Sequence, residues 1–288
     1  MAFDSTDDRI FVGRSDGTVS VIDAKKDSFL TTSIAIGAPV TSVAYDSKHN
    51  RIYAATALYV SVINASKMTI DTGIWICADQ LAYDDSDDRM YVSCPAYNSI
   101  LSINTVTKTV NAGYAALAYL TIPCTPSKIA FGKSKLWVWS MCVPNPMLFI
   151  VDGKTGTASA PIDPYAFQSA GLTVDPSTDS SYLIDGGGDT WVRDSTGATT
   201  KQLSTSGNSY LGWTFDPVNK TLYGIRDYFG SYASAENGTF IETYDSSTLG
   251  ANAGKGLVDL ANVDAMAVNS TDKKVYVLGT GNSIFVVW

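Results

Sequence analysis

Four cysteines, one histidine and 28 acidic residues are the side chains of this 288-residue chain best equipped for chemistry. Cys77 and Cys94 stand 17 positions apart, and Cys124 and Cys142 stand 18 apart. Thiolates at such spacing suit a metal, a nucleophile or a disulfide. Four thiolates could bind zinc, but pairs on adjacent repeats need not converge, and cysteine or serine catalysis wants a histidine partner. The lone His49 sits in a turn, and no G-x-S-x-G elbow precedes a helix. Two disulfides, Cys77–Cys94 and Cys124–Cys142, are therefore expected, with four free thiols in an intracellular protein as the competing reading.

The acids are almost all aspartate. Glu236 and Glu242 are the only glutamates, which leaves 26 Asp. The clusters Asp4, Asp7, Asp8 and Asp84, Asp85, Asp87, Asp88 suggest calcium, but calcium needs oxygens that converge. Short Asp side chains more simply cap the backbone N–H groups of their own turns. Lys48, Arg51, Arg89 and Lys273 lie close enough in sequence to offset part of this charge. GGGD at Gly186 lacks the lysine and helix of a phosphate loop. No metal and no cofactor is expected.

The elements that must position these groups come from a repeat. VAYDSKHNRIYAA at Val43 recurs as LAYDDSDDRMYVS from Leu81, LTVDPSTDSSYLI from Leu172 and WTFDPVNKTLYGI from Trp213. MAFDSTDDRIFVG, IAFGKSKLWVWS from Ile129 and MAVNSTDKKVYVL from Met266 complete seven copies. Their turn residues Asp4, Asp46, Asp84, Gly132, Asp175, Asp216 and Asn269 are separated by 42, 38, 48, 43, 41 and 53 positions. That period, about 41 residues, is a propeller blade's. Each copy runs from an apolar strand through an Asp-centred turn into an aromatic strand, then an alternating strand such as TVSVID or YVSVIN. β-branched and aromatic residues dominate, and helical periodicity is missing.

The expected fold is all-β: a single seven-bladed β-propeller domain over 1–288. Its approximate blades are 1–42, 43–80, 81–128, 129–171, 172–212, 213–265 and 266–288. Most blades should have four strands, innermost first, with a closing blade either of three strands or completed by residues preceding Met1. IYAATALYVSVINA at Ile52 and IFVGRSDGTVSVIDA at Ile10 resemble the YVTN-type β-propeller repeat family. The resemblance implies the fold; the family spans surface proteins and relatives of small-molecule-processing enzymes, including the streptogramin lyases. The metal-assisted histidine chemistry of those lyases has no counterpart here, because His49 is alone.

In such a blade the chain begins the first strand at one end, called the top, and returns there after the second. Both cysteine pairs then close first-to-second strand units at the top, and the Asp turns lie at the bottom. Longer and more varied top loops make the top the expected binding end. DGGGDTW carries Asp185 and Asp189, and RDYFGSYASAENGTF carries Arg226, Asp227, Tyr228, Tyr232 and Glu236. Thr41, Asp79, Ser127, Ala170, Leu211 and Asp264 occupy equivalent positions where first strands begin, facing the axis. Asp79 and Asp264, with Lys128, Arg14 and Arg226, would form a polar channel mouth rimmed by Trp75 and Tyr97.

The net charge of −8 argues against nucleic acid or an anionic bilayer as partner. No apolar run is long enough to span a membrane, and the first residues, MAFDSTDDRIFVG, carry no leader-type pattern, so any signal peptide would precede them. Paired cysteines, acidity and N-x-Ser/Thr triplets at Asn64, Asn219, Asn237 and Asn269 point to an extracellular or cell-surface glycoprotein. The leading functional reading is a propeller binding carbohydrate, a small molecule or a protein surface through its top loops. One alternative is a cofactor-independent lyase, isomerase or hydrolase using Asp79 or Asp264 as base and Arg226 against an oxyanion. The other is a structural surface module without a small-molecule site.

Overall fold

A computed structural model describes residues 1–111, 120–121, 124–142, 145–162, 169–185, 189–203, 209–228, 238–257, 263–279 and 284–287. The chain forms seven antiparallel sheets, the blades of a seven-bladed β-propeller, and among the described residues the only helical element is the single 3-10 turn Pro95–Tyr97. It divides into two compact units, Met1–Asp163 with blades one to four and Pro164–Trp288 with blades five to seven.

In the first unit, blade one is built from Ala2–Asp4, Arg9–Gly13 and Thr18–Asp23, with an outer edge broken into Ser28–Phe29 and Ile34–Ala35. Blade two has Ser42–Asp46, Arg51–Ala55, Tyr59–Asn64 and one continuous outer strand, Thr69–Trp75. Blade three has Leu81–Asp84, Arg89–Cys94, Ser99–Asn104 and the outer pieces Thr109–Val110 and Leu120–Thr121. Blade four has three strands, Thr125–Phe131, Lys135–Met141 and Met147–Asp152. Isolated bridges from Ile162 to Leu148 and from Ala158 to Val151 cover its outer edge.

In the second unit, blade five has Ser169–Asp175, Ser180–Asp185, Thr190–Arg193 and Thr199–Leu203. Blade six has Ser209–Asp216, Thr221–Tyr228, Gly238–Asp245 and Ala251–Leu257. Blade seven has three described strands, Val263–Asn269, Lys274–Gly279 and Ile284–Val287. Within each unit the first strands of successive blades approach one another, which makes them the innermost strands.

The core lies between blades, because a strand buried on both faces can be apolar at nearly every position. Phe11, Val19 and Val21 of blade one meet Val43, Ile52, Ala54 and Ile63 of blade two. Tyr53, Val60 and Val62 meet Leu81, Met90 and Val92, and Tyr91 and Ile100 meet Ile129, Leu136 and Val138. In the second unit Tyr182, Ile184 and Val192 pack on Phe215, Leu222 and Tyr244. Tyr91 stacks on Phe131 and Tyr182 on Phe215, with ring centroids 5.4 and 5.5 Å apart and both pairs inclined by 24°. In blades three and five the aromatic of the second strand thus locks onto the first strand of the next blade.

Candidate functional site

The turn after the first strand is closed by one repeated device in every blade but the fourth, which has Gly132 there. Asp4 accepts the N–H groups of Thr6 and Asp7 at 2.9 and 3.2 Å, and Asp84 those of Ser86 and Asp87 at 3.0 and 3.2 Å. Asp216 and Asn269 do the same for Val218 and Asn219, and for Thr271 and Asp272. The residue four places after each anchor has positive φ: Asp8, Asn50, Asp88, Asp179, Lys220 and Lys273. The turn after the third strand repeats the scheme, with Asp23, Asn64, Asn104, Asp152 and Asp245 as anchors and Asp27, Met68, Lys108, Gly156 and Leu249 in the left-handed conformation. Asp and Asn tolerate that conformation and cap such turns, so the acid-rich composition is largely turn chemistry.

Burial separates these anchors electrostatically. Asp4, Asp46, Asp84, Asp175 and Asp216 are all at most 4% exposed. Burial pushes Asp84 above the usual carboxylate range, because the Ser86 and Asp87 hydrogen bonds do not offset it. Burial also acts on Asp175, but Lys220 Nζ at 2.9 and 3.1 Å and the Ser177 N–H outweigh it and hold the carboxyl low. His49 Nδ1 lies 2.9 Å from Asp46 Oδ2, and its N–H donates to the same carboxylate. The single histidine therefore serves its own bottom turn.

Sequence reasoning missed a clamp between blades. Arg9 donates to the carbonyls of Ala65 and Ser66 at 2.8 and 3.0 Å, Arg51 to that of Thr105, and Arg89 to that of Gly153 at 2.8 Å. Each accepting group (Ala65, Thr105, Gly153) directly follows the third-strand anchor of the next blade. Tyr91 reaches the Gly153 carbonyl as well, at 3.1 Å. The readable signal was an arginine two residues before the second-strand aromatic: Arg9 and Phe11, Arg51 and Tyr53, Arg89 and Tyr91. Arg89 is only 6% exposed, so it is a buried tie, and its guanidinium also lies 3.9 Å from the Asp87 carboxylate.

At the top, both disulfides form, and no cysteine is free. Cys94 ends the second strand of blade three, and Cys77 precedes its first strand with Cα atoms 5.3 Å apart. Cys124 and Cys142 hold the same places in blade four, 4.8 Å apart. The six aligned positions are structurally equivalent. Register shifts in the first strands of blades four to seven skip Ser127, Ala170, Leu211 and Asp264, a bulge that re-aims a side chain. Thr41 and Asp79 stand just ahead of the corresponding strands, and the Thr41 hydroxyl donates to the Asp79 carbonyl at 2.8 Å. Asp79 and Lys128 are partly buried in the first unit. The side chain of Asp264 lies outside the described residues.

Several expected loop residues lie elsewhere. Arg226, Asp227 and Tyr228 belong to the second strand of blade six, paired with Phe240, Thr239 and Gly238, because the ladder runs on into what reads as a loop. Tyr232 and Glu236 lie outside the described residues. Asp185 ends a strand opposite Ser169, and Asp189 immediately precedes Thr190–Arg193. Trp75 ends the outermost strand of blade two, opposite Tyr59, and so stands away from the first strands that line a channel. Its ring meets that of Tyr59 at 5.6 Å and 60°, and the Tyr59 hydroxyl donates to the Ile36 carbonyl. Trp75 is nevertheless 81% exposed, the most open large apolar side chain described. Leu58, Tyr97 and Met141 are also exposed at the top of blades two, three and four. Tyr97 ends the Pro95–Tyr97 turn, closed by Asn98 at φ 49°, whose Oδ1 accepts the Thr125 hydroxyl at 3.1 Å.

No protein-family model matches the sequence, and no curated protein matches it. Among solved structures the chain is similar to Kuenenia stuttgartiensis hydrazine synthase, with a TM-score of 0.71 at 15% identity over 99% of this chain and 94% of that one. Likeness at that identity carries the propeller fold and no activity.

Proposed function

We propose that the protein is an extracellular ligand-binding or protein-interaction propeller of YVTN type that works through its top end. The observation that carries this reading is the set of exposed apolar side chains there, led by Trp75. Large apolar groups left open on a rigid scaffold mark interaction sites. The Trp75 ring is held on one side by Tyr59 and the Tyr59–Ile36 hydrogen bond, so little side-chain freedom remains to be lost on binding. The two disulfides support an oxidising compartment and brace the first-to-second strand units beside this surface.

The test is retention on immobilised extracellular polysaccharides and on surface proteins of the producing cells, compared between the natural protein and Trp75→Ala. The variant should unfold at the same denaturant concentration yet lose at least tenfold in retention. Equal retention by Trp75→Ala and by a Trp75→Ala/Tyr97→Ala double variant would reject the top end as the binding surface.

A further inference from the structure

We infer that Asn64 is an N-glycan acceptor, and that Asn219 and Asn269, although in the same sequence pattern, are not. This rests on the extracellular reading above. The three side chains present different chemistry. Asn64 is partly exposed in a bottom turn of blade two, and its Oδ1 accepts the Lys67 N–H at 2.9 Å. Its Nδ2 makes no hydrogen bond to any described residue. A glycan joins the nitrogen, so the turn cap through Oδ1 survives attachment.

The other two acceptors are committed. Asn219 Nδ2 donates to Asp216 Oδ2 at 2.6 Å and to the Ser270 carbonyl at 3.2 Å, which occupies both of its N–H bonds. Asn269 is fully buried, and its Nδ2 faces Asp272 at 3.3 Å. A sugar on either nitrogen removes a donor from a buried anchor, and at Asn269 it has no space. Because transfer precedes folding, a glycan there would block the turn. At Asn64 it would project from the bottom of the blade and leave the Trp75 end clear.

In the transfer, Nδ2 attacks C1 of a lipid-linked oligosaccharide. The C1–O bond breaks with its electron pair leaving on the lipid diphosphate, an N–C1 bond forms, and one amide proton passes to the transferase base.

The experiment expresses the full chain behind a secretory leader in a eukaryotic host and maps glycopeptides on the secreted, disulfide-bonded protein. Asn64 should be occupied, with Asn219 and Asn269 bare. Asn64→Asp keeps the capping oxygen, as Asp23, Asp152 and Asp245 do in equivalent turns, and should lose that glycan without losing secretion. Ser66→Thr keeps the acceptor pattern and should retain it. A bare Asn64, whatever Asn237 carries, overturns the inference, as does a glycan on Asn219 or Asn269. Occupancy of Asn64 in the host together with free thiols in protein from the native cell would instead sink the extracellular reading and leave the acceptor assignment standing.

Discussion

The two ends of the blades in Met1–Asp163 are built on opposite principles. At the bottom, buried aspartates cap their own turns, arginines reach from beside them to the third-strand turn of the next blade, and the one histidine rests on a carboxylate. At the top, covalent bonds do the holding and the exposed apolar side chains face outward. The bottom turns meet their backbone polar groups with short local side chains, although Val106 and Val218 are exposed in them. An end fixed by cystines can leave its side chains open, because its geometry does not depend on them.

The largest effect expected from this contrast is at the top. Replacing Cys77 and Cys94 together by Ser should lower unfolding free energy by roughly 3 kcal/mol, read by chemical denaturation. A change near zero would mean the top is held by packing alone. At the bottom, Arg89→Met keeps the apolar stem but removes the charged donor to the Gly153 carbonyl. That should cost about 2 kcal/mol, since a hydrogen bond from a charged group is lost, while Tyr91 still donates to the Gly153 carbonyl.

Smaller effects separate the anchors from one another. Asp175 has its folded pKa lowered, so its contribution is present above the unfolded carboxylate value and fades as pH falls through the folded one. Asp175→Asn should cost about 1 kcal/mol at neutral pH, with the cost shrinking in acid. Asp84 is the reverse case, its folded pKa being raised, so the natural protein loses stability as pH rises through that value. Asp84→Asn should be neutral or stabilising at neutral pH, with no gain below the unfolded carboxylate range. Matching pH profiles for the two variants would show that Lys220 does not distinguish the turns. The smallest stability change is expected for Trp75→Ala, within about 0.5 kcal/mol, although it should abolish binding.

Much of this architecture was legible because it repeats. Seven copies, five of them centred on Asp, set strand order and the cystine pairs, since a hairpin-like unit brings residues 17 and 18 apart together. The alignment of Ser127, Ala170, Leu211 and Asp264 held to the residue, as a bulge recurs wherever its backbone cause recurs. Departures came where one copy differs from the others. RDYFGSYASAENGTF looks like an insertion, yet its first three residues extend a ladder, because register depends on a partner strand that spacing does not show. Trp75 is near Cys77 in sequence but belongs to the outer edge, in the fourth strand of its blade. Asn219 and Asn269 match a modification pattern that says nothing of burial; Asn269 already reads as a turn residue of the repeat, whereas only the contacts show the Asn219 amide committed to Asp216 and Ser270.

The arginine ties carry a consequence for how the chain comes apart. Donors Arg9, Arg51 and Arg89 and their receivers Ala65, Thr105 and Gly153 all precede Asp163. Each tie joins a blade only to its successor, which is the wiring of a one-dimensional array with nearest-neighbour coupling. Weakening one tie should then loosen a single junction first, and the loss should spread along the array by neighbours instead of all at once.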